Sequence, residues 1–207
     1  MKRWGVTIVA LTALALAQPV AEAQEKEKKQ EQEPATAWAA PKPAPEMEKL
    51  AKMMVGTWSS AEKHEPSPFS PAGGTGKGVF KVTLGPGGHS LVEQYNSRGS
   101  LGKFNGHGMT YWDPKDKVYR SVWCDNFTPT CDVSVGHWEG DNLVFLGESE
   151  MEGQKTKLKM TYSGFKAGSF EFGIDMSVGD APMARGMTIK YTRAKARAAA
   201  SAAASAP

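Results

Sequence analysis

The sequence has little cysteine and only a small excess of basic over acidic residues. Two of its 207 residues are cysteine, too few for a domain held together mainly by disulfides. Its 25 basic and 22 acidic residues give a net charge of +3, without the clustered basic face that nucleic-acid binding requires. With 23% charged and 40% hydrophobic residues, the composition is typical of a soluble globular protein. It argues against a wholly disordered chain and against a protein with many membrane spans.

The motifs of common catalytic centres are also absent from the sequence. It contains no Gly-x-Ser-x-Gly, no His-Glu-x-x-His and no phosphate-binding loop. None of the four histidines lies two or four residues from another, so no local pair is spaced to bind a metal. We therefore expect no metal site, and no motif points to a particular reaction.

The N-terminus has the pattern of a secretory signal peptide over residues 1–23. Lys2 and Arg3 are followed by an apolar run from Gly5 to Ala17 and by the small-x-small sequence Ala21-Glu22-Ala23. The alternative is an uncleaved membrane anchor, but the apolar run is shorter than the roughly 20 residues that a span needs. We predict an exported protein, periplasmic or secreted, without stable membrane insertion after cleavage.

Two further segments are predicted to lie outside the folded domain. Residues 24–45 are rich first in Glu, Lys and Gln and then in Pro and Ala, so they bury too little apolar surface to offset the entropy of ordering. Residues 194–207 are rich in alanine, with no apolar residues to dock them. The predicted domain is therefore residues 46–193, between a disordered linker and a disordered tail.

The domain begins with one short helix and continues as strands. Met47, Leu50 and Met54 recur at helical spacing just after Pro45, which favours a helix of about ten residues. Apolar and polar residues then alternate in four clean stretches, at 80–84, 157–162, 170–176 and 187–192. Less regular strands are predicted at 56–62, 89–97, 104–112, 117–124, 131–138 and 142–149.

Tight turns join these strands, as at Gly85-Pro86-Gly87-Gly88 and Asp113-Pro114-Lys115-Asp116. About ten antiparallel strands in sequence order predict an all-β protein, an up-and-down β-barrel whose closure removes the sheet edges. The alternative is an open sandwich with Greek-key connections. The lack of long connections after residue 76 argues against that alternative.

The domain resembles the lipocalins, because Gly56-Thr57-Trp58 follows the helix like the Gly-x-Trp that opens their first strand. More specifically, it is similar to a bacterial lipocalin-like (calycin-type) domain family of unestablished function. The ordered matches for this family are Glu46, Lys49 and Leu50, Leu84, Gly87 and Gly88, Leu91 to Tyr95, Phe104-Asn105-Gly106, Trp112-Asp113, Tyr119, Trp123-Cys124-Asp125, Gly136, Leu143 to Glu148 and Ile189 to Arg193. The resemblance implies a barrel with an internal cavity. It also implies that Arg193, from the closing Tyr-Thr-Arg, covers Trp58 and closes one barrel end in a structural role.

A related family, the nitrobindins, binds haem through a late histidine and opens with Gly-x-Trp-x-Gly. Here Ser59 and Ser60 follow Trp58, and no histidine follows His137. We therefore expect no haem and no other cofactor.

Cys124 and Cys131 flank a predicted connection between two paired strands. An exported chain can keep a disulfide, and facing positions at the base of a hairpin are close enough for one. The alternative is a redox pair, but the Cys-x-x-Cys spacing is absent. We predict a structural disulfide.

Aromatic residues supply the candidate ligand-binding wall. Tyr119 and Trp123 share one strand face, and His107 shares a face with Tyr111. Our candidate ligand-binding residues are Tyr95, His107, Tyr111, Tyr119 and Trp123. The alternative is that the aromatic residues simply fill the core. The alternation does not decide whether Glu93 faces the interior.

Three functions fit these observations. The first is an exported barrel that binds a small, largely apolar molecule in its cavity. The second is a cofactor-free enzyme, an isomerase or cyclase, with Glu93 or His107 as general acid or base. The third is a filled barrel that acts as a structural or interaction protein of the cell envelope.

Overall fold

A computed structural model of the chain describes residues 39–67, 70–151 and 153–195. These described residues contain one α-helix, ten β-strands and a short 3-10 helix at Pro86–Gly88. The elements are α1 (Pro45–Met54), β1 (Gly56–His64), β2 (Gly74–Leu84), β3 (Ser90–Gly99), β4 (Gly102–Asp113), β5 (Val118–Asp125), β6 (Asp132–Glu139), β7 (Asn142–Met151), β8 (Gln154–Lys166), β9 (Ser169–Val178) and β10 (Ala184–Arg193). The predicted signal peptide and most of the predicted linker and tail lie outside the described residues.

The ten strands form one closed antiparallel barrel in sequence order, with β1 hydrogen-bonded to β10. The prediction of an up-and-down barrel of about ten strands behind one short helix is therefore confirmed. The Greek-key alternative is wrong, because every strand pairs with its neighbours in the sequence. Closure leaves no strand edge free to pair with another chain.

Helix α1 closes one end of the barrel. Pro45 occupies its first turn, where a missing N–H costs no hydrogen bond, and Glu46 and Glu48 lie near the positive end of the helix dipole. The apolar face is fully buried, with Met47, Leu50 and Met54 each at most 2% exposed. Burying three such side chains contributes about 1.5–3 kcal/mol each.

Side chains from the barrel wall attach to the helix by polar contacts. Trp58 Nε1 donates a 2.8 Å hydrogen bond to the carbonyl of Met54, and the hydroxyl of Tyr119 donates to the carbonyl of Glu46 at 3.1 Å. The ammonium of Lys49 lies 3.8 Å from the ring centroid of Trp138. These contacts fix the helix across the barrel end that we call the closed end.

Arg193 and Trp58 lie at the same closed end. They are register partners on β10 and β1, and the guanidinium lies 4.2 Å from the ring centroid of Trp58. Arg193 Nη1 also donates to the carbonyl of Val55 at 3.4 Å. Gly56 leaves room for the guanidinium, since a Cβ there would come within 2.4 Å of Nη1.

The opposite end, which we call the far rim, holds the connection between β5 and β6. Cys124 and Cys131 form a disulfide across this connection, with their Cα atoms 4.3 Å apart, which confirms the predicted bond.

Among the described residues, no helix combines the length and the apolar character needed to cross a membrane.

Candidate functional site

The barrel interior is not filled by side chains. A cavity of about 200 Å³ extends from α1 at the closed end to the far rim. Most of its lining is apolar. The aromatic residues of the lining are Phe80, Tyr95, Phe104, Trp123, Phe145, Tyr162, Phe172 and Tyr191. The aliphatic ones are Leu50, Met54, Leu143, Leu158, Met160, Ile174, Met187 and Ile189.

Glu93 places a carboxyl group inside this apolar lining. It lies on β3, is 3% exposed, and accepts a 2.8 Å hydrogen bond on Oε1 from the hydroxyl of Thr110. Burial raises the pKa of Glu93 to about 7, although the bond from Thr110 opposes the rise. The carboxyl therefore exchanges a proton near neutral pH.

Two tyrosine hydroxyls share the cavity with Glu93. The hydroxyls of Tyr162 and Tyr191 have no hydrogen-bond partner among the described residues. Neither oxygen is fully buried, so both are accessible from the cavity. Burial and the charge on Glu93 raise the pKa of Tyr162, and burial and nearby acidic groups raise that of Tyr191. Both hydroxyls therefore stay protonated and open onto the cavity.

A network of hydrogen-bonded polar side chains lies along the wall beside the cavity. The hydroxyl of Tyr95 donates to Glu62 Oε1, and Ser60 Oγ lies 2.8 Å from the same hydroxyl oxygen. His64 Nε2 lies 3.0 Å from Glu62 Oε2. Burial would raise the pKa of Glu62, but hydrogen bonds from His64, Ser97 and Tyr95 outweigh it and hold that pKa below its usual range. The Tyr95 ring lines the cavity while its hydroxyl is already paired.

Two aspartates mark where the cavity reaches the far rim. Asp125 Oδ2 accepts a 3.1 Å bond from Trp123 Nε1, and its Oδ1 accepts from the backbone N–H of Phe127 at 2.8 Å. Asp132 is partly buried, and this burial together with the charge of Asp125 raises its pKa, against a hydrogen bond from Ser149. No three acidic, histidine or cysteine side chains in the described ranges gather closely enough to hold a metal ion.

Glycines on β4 give Trp123 its position. A Cβ on Gly106 would lie 2.4 Å from Trp123 Cζ2, and one on Gly108 would lie 2.7 Å from its Cε3. The indole therefore lies flat against bare backbone, stacked with Phe104 at 6.5 Å between centroids. This packing turns the ring into a cavity wall.

Of the residues predicted to bind the ligand, the structure places Tyr95 and Trp123 in the cavity lining. Their strands β3 and β5 present alternate residues inward, which also brings Glu93 and Ser121 into the lining.

The predicted interior positions of His107 and Tyr111 are wrong. On β4 the residues that face inward include Phe104, Gly106, Gly108 and Thr110, so His107 and Tyr111 project from the outer face, and His107 is exposed. The reason is that the indole of Trp123 occupies the space over the two glycines. The inner face of β4 therefore carries no side chain at positions 106 and 108, whereas Phe104 and Thr110 on either side line the cavity.

Tyr119 points inward but does not reach the cavity. It is 1% exposed, and its hydroxyl bonds to the carbonyl of Glu46 while accepting from Trp138 Nε1 at 3.2 Å. Tyr119 lies beneath α1 and stabilises the closed end of the barrel. The prediction that it lines the ligand-binding cavity is therefore wrong.

Two cavity residues, Tyr162 and Tyr191, are not among the residues predicted to bind the ligand. Both stand on the apolar face of a cleanly alternating strand, Tyr162 with Met160 and Tyr191 with Ile189. That alternation could have assigned them to the interior.

A family model described as "Protein of unknown function (DUF1579)" matches residues 42–193, which is the helix and the whole barrel. No curated protein matches the chain significantly.

Several solved structures align with this chain. The crystal structure of Rv2717c from M. tuberculosis aligns with a TM-score of 0.53 at 12% identity, over 74% of this chain and 99% of that one. The S-type phycobiliprotein lyase CPES from Guillardia theta aligns with a TM-score of 0.47 at 8% identity, over 72% and 93% of the two chains. A redesigned β-barrel, mFAP0, bound to DFHBI, aligns with a TM-score of 0.39 at 13% identity, over 68% and 99%. The first of these likenesses concerns the fold alone.

Proposed function

We propose that this chain, which belongs to the DUF1579 family of proteins of unknown function, binds a small, largely apolar molecule inside its barrel. The observation that carries the proposal is the cavity of about 200 Å³ with its mainly aromatic and aliphatic lining. Ligand sites in proteins are typically concave and apolar, with a few polar groups that fix the orientation of the ligand. Glu93, Tyr162 and Tyr191 are such polar groups here.

Apolar burial supplies the affinity in this proposal. Each Å² of apolar surface removed from water contributes about 25 cal/mol before the cost of ordering. The lining comes from α1 and from most strands of a closed barrel. The cavity is therefore largely formed before the ligand arrives, which keeps the cost of ordering low.

We place the protein outside the cytoplasm. The signal-like residues 1–23 support export, and so does the Cys124–Cys131 disulfide, since such bonds persist in oxidising compartments. The position of Arg193 over Trp58 supports a relationship to the lipocalin-like barrels.

A second candidate function is catalysis without a cofactor. A carboxyl with a pKa of about 7 inside an apolar cavity is suited to exchange protons as a general acid or base. Turnover of a bound molecule, abolished by Glu93→Gln, would favour this candidate over simple binding.

The experiment that tests ligand binding uses a neutral fluorescent probe, N-phenyl-naphthylamine. The fluorescence of the probe is expected to rise on entering the cavity and to saturate. Ser121→Phe adds a ring on the inner face of β5, where Ser121 lines the cavity, and should abolish the signal. Val122→Phe adds the same ring at the next residue, on the outer face, and should leave the signal unchanged.

Circular dichroism and thermal melting of both variants establish that each is folded. Loss of the signal in Ser121→Phe alone supports binding inside the barrel. An equal signal in the wild type and Ser121→Phe, or no saturable signal in the wild type, contradicts it.

A further inference from the structure

We propose that the ligand is a compact organic cation, a protonated amine on an apolar or aromatic body, and that Glu93 binds its ammonium group. The inference rests on the proposed function, because it names the class of molecule that occupies the same cavity. It is carried by the free acceptor atoms, the charges and the aromatic rings that face the cavity.

The first support is the arrangement of acceptor atoms. The hydroxyl of Thr110 donates to Oε1 of Glu93. Oε2 of Glu93 has no hydrogen-bond partner among the described residues and is accessible from the cavity. The hydroxyl oxygens of Tyr162 and Tyr191 are open in the same way. An ammonium group has three N–H donors, and the cavity offers it one carboxyl oxygen and two hydroxyl oxygens.

The second support is the sign of the charge. The ionisable groups of the lining, tyrosines aside, are the carboxyls of Glu93, Asp125 and Asp132. Among the lining residues that the structure describes, none is lysine, arginine or histidine. A buried charge is costly without a partner of opposite sign. A fatty acid or another anion would therefore enter without a counter-ion and face repulsion, whereas a cation finds a partner in Glu93.

The third support is the aromatic wall. The rings of Phe80, Tyr95 and Tyr191 pack together, with the Phe80 and Tyr191 centroids 5.2 Å apart and those of Tyr95 and Tyr191 6.1 Å apart. Tyr162 continues this surface, with its centroid 4.6 Å from that of Phe172. Aromatic faces attract cations more strongly when the cation is shielded from water, so the wall favours an ammonium group and also accepts an apolar body.

The charges of Asp125 and Asp132, at the far rim, also favour a cationic ligand. Asp125 and Asp132 lie where the cavity meets the far rim. Negative charge at the mouth of a cleft raises the local concentration of cations. These carboxyls therefore attract the ligand to the mouth, while Glu93 binds it inside.

The test compares molecules of nearly equal shape and different charge: phenethylamine, phenethyl alcohol and phenylacetate. Their affinities are measured by calorimetry at about pH 8, which is above the pKa of about 7 of Glu93 and below that of an alkylammonium group, about 10. We expect the amine to bind at least about tenfold more tightly than the alcohol, and phenylacetate to bind more weakly than the alcohol.

Two variants identify the carboxyl responsible. Glu93→Gln should remove the preference for the amine and keep the binding of the alcohol. Glu171→Gln, at an exposed position of β9 whose side chain is 51% exposed, makes the same change in net charge and should leave the preference intact. Asp132→Asn should weaken amine binding less than Glu93→Gln does.

Several results would overturn the inference. Equal binding of amine and alcohol by the wild type would do so, as would a preference that survives Glu93→Gln. If the alcohol and the neutral fluorescent probe bind while the amine does not, the barrel is a ligand-binding protein and the inference about charge fails alone. If the alcohol, the neutral fluorescent probe and the amine all fail to bind, both the inference about charge and the proposed function are wrong.

Discussion

Thr110 donates a 2.8 Å hydrogen bond from its hydroxyl to Oε1 of Glu93, and both side chains are 3% exposed inside the barrel. A hydrogen bond to an ionised carboxylate favours the charged form, whereas burial disfavours it. The bond therefore opposes the effect of burial, which raises the pKa of Glu93 to about 7.

Replacing Thr110 by valine keeps the shape of the side chain and removes the donor. We expect the pKa of Glu93 to rise above about 7, because the ionised form loses its hydrogen bond. Infrared spectroscopy of the protonated carboxyl against pH, with Glu93→Gln to assign the band, measures the shift. Thr110→Ser restores the donor and should restore the wild-type value. An unchanged pKa in Thr110→Val would show that the bond does not govern this carboxyl.

The stability of the barrel should depend on pH through Glu93. The pKa of this group is about 7 in the folded protein against a reference value of 4.5. The folded state therefore binds more protons between these values, and stability falls as pH rises through this window. The loss is complete above about 7 and amounts to about 3 kcal/mol.

Urea unfolding at a series of pH values measures this effect. Glu93→Gln cannot ionise, so its stability relative to the wild type should increase by about 3 kcal/mol across the same window. The comparison with the wild type cancels the contributions of Glu62 and the other ionisable groups. A constant difference between the two proteins across this range would mean that Glu93 is not a buried acid.

Gly106→Ala should weaken ligand binding through Trp123. The added Cβ would lie 2.4 Å from Trp123 Cζ2, so the indole must leave its place in the cavity wall. We expect the affinity for the neutral probe to fall about tenfold, equivalent to about 1.4 kcal/mol. Gly168→Ala is the matched control, since a Cβ there has no heavy atom within 4 Å. Equal affinities of the two variants would remove Trp123 from the wall.

Arg193→Met should destabilise the closed end without affecting the ligand. It removes the charge that lies 4.2 Å from the Trp58 ring centroid and keeps an unbranched apolar stem. The expected loss is about 1 kcal/mol in the free energy of unfolding. Lys190→Met, on the same strand, removes an exposed charge 3.9 Å from Glu171 and should cost less than about 0.5 kcal/mol. Weaker probe binding in Arg193→Met would assign this residue a part in the site.

The Cys124–Cys131 disulfide closes a short connection, so its removal should cost about 2 kcal/mol. Unfolding of the wild type and of the double Cys→Ser variant, each with and without reductant, measures this loss. The two proteins should have equal stability when the wild type is reduced. A difference that persists under reducing conditions would trace the loss to the serine substitutions.

Much of the fold was predictable because most strands have one apolar and one polar face. On β8, Leu158, Met160 and Tyr162 alternate with polar residues and line the interior, as the period-two rule requires. Helix α1 was predictable for a similar reason, since its three buried residues recur at helical spacing.

The candidate site was only partly predictable. The inner face of β4 has glycines at 106 and 108, and the aromatic ring that covers them comes from β5, so the pattern of β4 alone pointed to the wrong face. On β3 the outward Val92 is 36% exposed and the inward Glu93 is buried, which reverses the usual relation of polarity to burial. Both cases depend on contacts between strands, which the sequence of one strand does not contain.

Native mass spectrometry of the protein, purified from its natural source without detergent, tests the central claim most directly. We predict a discrete non-covalent added mass that disappears on denaturation and is absent from Ser121→Phe. Tandem fragmentation of the released molecule should identify a small organic compound, and an amine would agree with the role of Glu93. A bare polypeptide mass, together with no saturable binding of the neutral probe, would contradict the account of this barrel as a ligand-binding protein.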